Sequence, residues 1–136
     1  MSVNGSVGED ARPDVPAVST ILLVEDEATI LRLASRILRR RGYTVLEAET
    51  GEEAVRVAAE HGGRIDVLLT DLIMPGLSGA EVARRIMTAH PAVQVVYMSG
   101  YGAEDLAEHG VGHPAHFLGK PFTPDALIAK IQEVLA

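Results

Sequence analysis

Short apolar runs alternate with helical spacing from about residue 20 to the end of the chain. Ile21-Leu22-Leu23-Val24 is the first run and has the length of a buried strand. Ala28 to Arg41 follows, with Ile30, Leu33, Ala34 and Ile37 at i, i+3, i+4 and i+7, the apolar stripe of a helix that Gly42 stops. Tyr43 to Ala48 reads as a second strand. Thr50-Gly51-Glu52-Glu53 has capping-box spacing and opens a helix to about Glu60. Ile65 to Thr70 is a third strand, continuously apolar apart from Asp66 and Thr70. Ser78-Gly79-Ala80-Glu81 repeats the capping box and leads into Val82, Ile86 and Met87 on a helix that ends before Pro91. Val93 to Met98 is a fourth strand. Ala103 to His109 has room for two helical turns, weakened by glycines at 100, 102, 110 and 112. His116-Phe117-Leu118 makes a short fifth strand. Thr123-Pro124-Asp125 then starts a last helix, with a capping Thr, Pro at the first helical position and an acid in the first turn.

Five strands separated by helices, with short connections, predict an α/β domain: a five-stranded parallel sheet with helices on both faces. Apolar strands without alternation agree, since a strand covered on both sides has no wet face. Crossovers are expected to be right-handed. Residues 1–19 are rich in Gly, Pro, Ser and acids without any period, and read as a flexible tail or linker before a domain spanning 20–136.

Composition narrows the function classes. A chain of 136 residues is one domain's worth, large enough to need no covalent or metal staple. It has no cysteine, which excludes disulfides, thiolate metal sites and cysteine nucleophiles. A formal net charge of -7 argues against direct nucleic-acid binding. No apolar run approaches the roughly 18 residues of a membrane span, and no secretory signal is visible. The expectation is a cytoplasmic protein, either free-standing or part of a longer kinase.

The chemistry collects at the strand ends, where open α/β sheets bind ligands. Strand one ends in Glu25-Asp26, strand three in Asp71, strand four in Ser99 and strand five in Gly119-Lys120-Pro121. If these converge, three carboxylates within about 5 Å repel by about 3 kcal/mol per pair at an effective dielectric near 20. A cation relieves that repulsion, and an all-oxygen donor set suits Mg²⁺. Lys120 and Ser99 then face the carboxylates as partners for a phosphoryl group. A carboxylate is itself a competent nucleophile toward phosphorus.

With those residues in view, the chain resembles the receiver domain of two-component response regulators. LLVEDE supplies the acidic pair, LLTDLIMPGLSG the phosphoacceptor loop, YMSGY the hydroxyl and FLGKPF the lysine-proline turn. The wording of these motifs is similar to receivers at the C-terminal end of hybrid histidine kinases. The resemblance implies a flavodoxin-like (βα)5 fold and phosphorylation of Asp71 by a histidine kinase or histidine phosphotransfer protein. It implies Mg²⁺ bound by Asp26, by Glu25 directly or through water, by Asp71 and by the backbone carbonyl of Ile73. Lys120 and Ser99 would hold phosphoryl oxygens, Phe117 would be the switch aromatic, and the Lys120-Pro121 bond would be cis. The protein would be a monomer or weak dimer that promotes only its own phosphorylation and dephosphorylation.

Plainer readings stand beside these. Phe117 reads first as a partly buried core aromatic. Leu31 and Leu38 read either as the edge of the core or as part of a docking surface for the histidine-containing partner. His109, His113 and His116 suggest a metal site only weakly, without a fourth ligand. Alternative functions are a binding-only, degenerate receiver and an aspartate-based phosphatase. The latter wants an Asp two residues after Asp71, where Ile73 stands. No P-loop pattern occurs. Ile73 and Tyr101 flank the site as bulky side chains without a carboxylate or amide, which predicts a long-lived phosphoryl group.

Overall fold

A computed structural model describes residues 18–112 and 115–136. The expected tail therefore lies almost wholly outside the described residues, as does His113. The ten elements follow the predicted order. They are β1 (Thr20–Val24), α1 (Ala28–Arg40), β2 (Thr44–Ala48), α2 (Gly51–Glu60) and β3 (Val67–Asp71), then α3 (Gly79–Ala89), β4 (Gln94–Ser99), α4 (Asp105–Glu108), β5 (His116–Gly119) and α5 (Pro124–Leu135).

All strands are parallel, in the order β2-β1-β3-β4-β5. The order reverses direction beside β1, so β1 and β3 meet at the switch point and their carboxyl ends flank one crevice. Alternate residues of each strand feed opposite faces. Ile21, Leu23, Val67, Leu69, Val96 and Met98 form one core with Leu31, Ala34 and Leu38 of α1 and Leu127, Ile128 and Ile131 of α5. Leu22, Val24, Leu68 and Tyr97 form the other with Ala54 and Ala58 of α2, Val82 and Ile86 of α3 and Leu106 of α4. A fully buried Leu or Ile contributes about 1.5–3 kcal/mol, so both faces of the sheet must be covered for the domain to hold.

The capping hydroxyls act as the sequence predicts, while the box glutamates turn elsewhere, Glu53 Oε1 to the Glu49 N–H at 2.7 Å and Glu81 to Arg85 at 2.9 Å. Thr50 Oγ1 accepts from the Glu53 N–H at 3.0 Å, Ser78 Oγ from the Glu81 N–H at 3.2 Å and Thr123 Oγ1 from the Ala126 N–H at 3.0 Å. Gly42 stops α1 with a positive φ of 94°.

Three expectations are corrected. The third strand begins at Val67 rather than Ile65, because Asp66 is occupied as a clasp: its carboxylate accepts the Thr20 N–H at 2.8 Å and its own N–H donates to the Thr20 carbonyl at 2.9 Å. α4 is a single turn, in keeping with the glycines that flank it. The buried stripe of α1 is Leu31, Ala34, Ser35 and Leu38, so Leu31 and Leu38 are core and are not a docking surface. Leu33, expected in the core, is 49% exposed, with Ile30 and Ile37 half-buried beside it. The apolar positions of α1 span more than one face, and only the sheet decides which of them are covered.

Candidate functional site

β1 delivers Glu25 and Asp26 to the carboxyl edge of the sheet. The Glu25 N–H still pairs with the Ala48 carbonyl at 3.1 Å, which continues the β1–β2 ladder by one residue and leaves Glu25 fully buried. Its Oε2 accepts the Glu27 N–H at 3.1 Å. Asp71 is the last residue of β3, paired in register with Met98, and is 3% exposed. The loop behind it is held by two backbone bonds, Leu72 N–H to the Met98 carbonyl and Gly79 N–H to the Leu72 carbonyl, both at 2.8 Å. Lys120 follows β5, and its own N–H donates to the Ser99 carbonyl at 2.9 Å.

These backbone anchors bring the side chains together. Lys120 Nζ donates to Asp71 Oδ1 at 2.8 Å and to Glu25 Oε1 at 2.9 Å. Carboxylate oxygens of Glu25, Asp26 and Asp71 lie within 4.8 Å of one another. One ammonium therefore faces three carboxylates. Burial pushes the Asp71 carboxyl up to about 8; the Glu25 carboxylate adds to the rise and Lys120 opposes it. Lys120 is raised by its two carboxylate partners against the effect of its own burial.

Asp71 Oδ2 is buried and has no hydrogen-bond partner. A buried carboxylate oxygen without a donor is costly, and here it sits in an excess of negative charge. A hard cation satisfies both deficits at once, and the oxygen-only donor set fits Mg²⁺. The site opens into a cleft of about 430 Å³ lined by Asp26, Glu27, Asp71, Ile73, Ser99, Tyr101 and Lys120, among others. A larger hollow of about 530 Å³, between α3 and the β4–β5 edge, is lined by no carboxylate and lies apart from this chemistry.

A phosphoacceptor needs this constellation on this fold, and the sequence model of the response regulator receiver domain matches residues 21–132. The chain belongs to the response regulator receiver domain family. Receivers act in two-component phosphorelays, and phosphorylation on aspartate and Mg²⁺ binding at an acidic pocket are features of the family. The chain is 37% identical over 124 residues to the sensor kinase CckA of Brucella abortus, covering 90% of this chain and 13% of that kinase. It is 31% identical over 116 residues to the response regulator receiver protein CpdR of the same organism, covering 85% of this chain and 95% of that protein. The crystal structure of the receiver domain from the hybrid histidine kinase CckA superimposes with a TM-score of 0.75 at 36% identity, over 87% of this chain and all of that one. The chain thus spans a small part of one such relative and nearly all of another.

The remaining residues singled out in the sequence are placed as follows. The Lys120-Pro121 bond is cis, as the resemblance implied. Phe117 is half-buried and packs against the core on the α2–α3 face. Ile73 and Tyr101 are 44% and 76% exposed at the mouth of the cleft. Ser99 is buried, but its hydroxyl engages neither Asp71 nor Lys120: Oγ accepts the Tyr101 N–H at 3.1 Å and donates to Asp105 Oδ2 at 3.5 Å. Of the three candidate histidines, His113 lies outside the described residues, and the other two have separate partners. His109 Nδ1 lies 2.9 Å from the Asp105 carbonyl of its own turn, and His116 Nδ1 lies 3.9 Å from Glu133. Among the described residues, Glu25, Asp26 and Asp71 form the one group suited to a metal.

Two contributors escaped the sequence reading. Gly79 looked like an ordinary helix opener, yet a Cβ there would fall 2.1 Å from the Asp71 carbonyl oxygen. Asp105, within the Ala103 to His109 stretch, was not singled out and reaches back to Ser99. The glycine in the Ser78 capping box was a readable signal for the first; nothing local signalled the second.

Proposed function

We propose that Asp71 accepts a phosphoryl group from a phosphohistidine and that the domain, so modified, carries the signal onward. The observation that supports this most directly is the unpartnered, buried Oδ2 of Asp71 beside an ammonium and two further carboxylates. Asp26, Asp71 and the Ile73 carbonyl would hold Mg²⁺, with Glu25 acting directly or through water. Once bound, the ion supplies charge neutralisation for the phosphoryl oxygens.

The chain's own residues do the rest. Asp71, ionised, attacks phosphorus through one carboxylate oxygen. A P–O bond forms as the P–N bond to the donor imidazole breaks, and the electron pair returns to that nitrogen; the imidazole leaves neutral, its other nitrogen protonated. Lys120 transfers part of its hydrogen bonding from Asp71 to a phosphoryl oxygen while keeping Glu25. Ser99 turns its hydroxyl to another oxygen, and Phe117, beside Tyr97 in the β4–β5 register, is the aromatic that follows. The domain promotes only its own phosphorylation and dephosphorylation. With Mg²⁺ and beryllofluoride, a phosphoryl analogue, the amide spectrum around β3 and β4 is expected to shift. No response would sink the reading and favour a binding-only receiver. The aspartate-based phosphatase is disfavoured by Ile73 at the place of its second carboxylate.

Ile73 and Tyr101 are bulky and supply no carboxylate or amide at the mouth, so an attacking water is positioned inefficiently for attack on phosphorus. Ile73→Asn is expected to speed loss of the phosphoryl group by about two- to tenfold, the value of one positioned hydrogen bond. An unchanged hydrolysis rate, followed by radiolabel or mass spectrometry, would remove this account of the lifetime.

The donor is a histidine kinase or histidine phosphotransfer protein in this reading, and the exposed Leu33 with half-buried Ile30 and Ile37 is the apolar surface available beside the arginines of α1. Leu33→Ser is expected to slow transfer from a protein donor by about three- to tenfold. Phosphorylation by acetyl phosphate, which needs no docking surface, would stay unchanged. Equal loss with both donors would show damage to the site instead. The proposal further takes the receiver as residues 20–136, cytoplasmic and a monomer or weak dimer, without direct nucleic-acid binding. The net charge of -7 supports the last point. Among the described residues no helix is long and apolar enough to cross a membrane.

A further inference from the structure

Ser99 has one hydroxyl proton, and the contacts of Oγ leave Asp105 as its acceptor. The Tyr101 N–H occupies an acceptor position on Oγ at 3.1 Å, and Oγ donates to Asp105 Oδ2 at 3.5 Å. That second bond is long and therefore weak, yet it takes the single donor that a phosphoryl oxygen on Asp71 would need. Asp105 is well placed to compete. It opens α4 directly before Leu106, which is 3% exposed and anchors the turn in the α2–α3 core. The Asp105 N–H donates to the Gly102 carbonyl at 3.3 Å, and its own carbonyl accepts from the His109 N–H at 3.0 Å, so both ends of the residue are tied. Gly102 makes the intervening turn with φ +125°.

We propose that Asp105 is a positioning residue that holds Ser99 in its off-site orientation and thereby links phosphoryl binding to α4. This inference rests on the reading of Asp71 as phosphoacceptor. When a phosphoryl group is on Asp71, the Ser99 proton leaves Asp105 for a phosphoryl oxygen. α4 then loses a tether at its first residue. The backbone bonds of this single turn, such as Leu106 N–H to the Ala103 carbonyl at 3.1 Å and Val111 N–H to the Leu106 carbonyl at 2.8 Å, do not involve the Asp105 side chain, so the release is confined to the first residue of α4. The two acceptors compete for one donor, so removing Asp105 favours the phosphoryl-bound state.

A double-mutant cycle tests this with Mg²⁺ and beryllofluoride as the probe. Asp105→Ala is expected to tighten beryllofluoride binding by about two- to fivefold in the Ser99 background, the value of one weak neutral-to-charged hydrogen bond released. In the Ser99→Ala background the same substitution is expected to have no effect, because no proton remains to compete for. A bare charge effect of Asp105 on the anion would persist without the Ser99 hydroxyl, and that result would overturn the proposal. So would an Asp105→Ala variant that binds as the parent does. Asp105→Asn keeps a helix-start residue and is expected to shift binding in the same direction by a smaller factor; it carries the cycle if the alanine variant folds poorly. Failure of the parent protein to bind beryllofluoride at all would strike the phosphoacceptor reading rather than this one.

Discussion

Replacing Asp71 by Asn is expected to abolish phosphorylation by acetyl phosphate, with less than about 1% of the parent signal by intact-mass measurement, because the nucleophilic oxygen is gone. The same change is expected to stabilise the metal-free protein at pH 8 by about 1–3 kcal/mol. Two opposing effects decide that sign. Losing the carboxylate removes the ion pair to Lys120, which would be costly if it left Lys120 alone, but Lys120 keeps Glu25 at 2.9 Å. What is removed is a buried carboxyl crowded by like charge. With Asp71 raised from 3.8 to about 8, the native state holds more protons than the unfolded chain between pH 4 and 8. Stability from this group is therefore fully present below pH 4 and is lost as pH rises toward 8. Asp71→Asn is expected to flatten that slope in metal-free denaturation curves, and Mg²⁺ to restore stability to the parent alone at high pH. A variant that is less stable than the parent at pH 8 would mean the Lys120 pair outweighs the repulsion. Phosphorylation that persists in Asp71→Asn would move the acceptor to another residue.

Gly79→Ala is expected to be among the most damaging single methyl additions in the domain, costing about 3 kcal/mol or more in stability. An alanine Cβ there would lie 2.1 Å from the Asp71 carbonyl oxygen, 2.9 Å from Leu72 Cα and 3.0 Å from Asp71 C. All three are backbone atoms of the strand end that presents Asp71, and they have no rotamer by which to yield. The helix start must move off β3, which breaks the 2.8 Å bond from the Gly79 N–H to the Leu72 carbonyl. The damage should reach the site as well as the fold: weaker Mg²⁺ binding is expected even under conditions where the variant remains folded. Gly112→Ala, where a Cβ meets nothing within 4 Å, is the control. If Gly79→Ala melts with the parent, the close approach of α3 to Asp71 is not a constraint on this fold.

Much of this protein was readable because its rules are local. Strand runs, three side-chain caps and the positive-φ glycine after α1 depend on neighbours a few residues apart; the caps and the glycine appear where the sequence predicts them, and the strands do so to within a residue or two. The site residues were also readable, since strand ends in a parallel sheet share one edge, and a carboxylate, a lysine and a serine at those ends have few other reasons to coincide. Where reading failed, the deciding contacts were distant. Leu33 and Leu31 are chemically alike on one helix, and only the position of the sheet buries the second and exposes the first. Ile65 is apolar enough for a strand, yet the Asp66 clasp on Thr20, 46 residues away, starts the strand two residues later.

By itself, then, the sequence determined the element order, the parallel sheet and the set of charged groups brought to its edge, because those follow from periodicity and short-range hydrogen bonding. Only the tertiary structure decided how the charges balance: one lysine shared by Glu25 and Asp71, one Asp71 oxygen left without a donor, and the Ser99 hydroxyl turned away from both. Those outcomes turn on distances of about 3 Å between residues as many as 95 positions apart. Spacing along a chain cannot specify such distances until the sheet has closed around them.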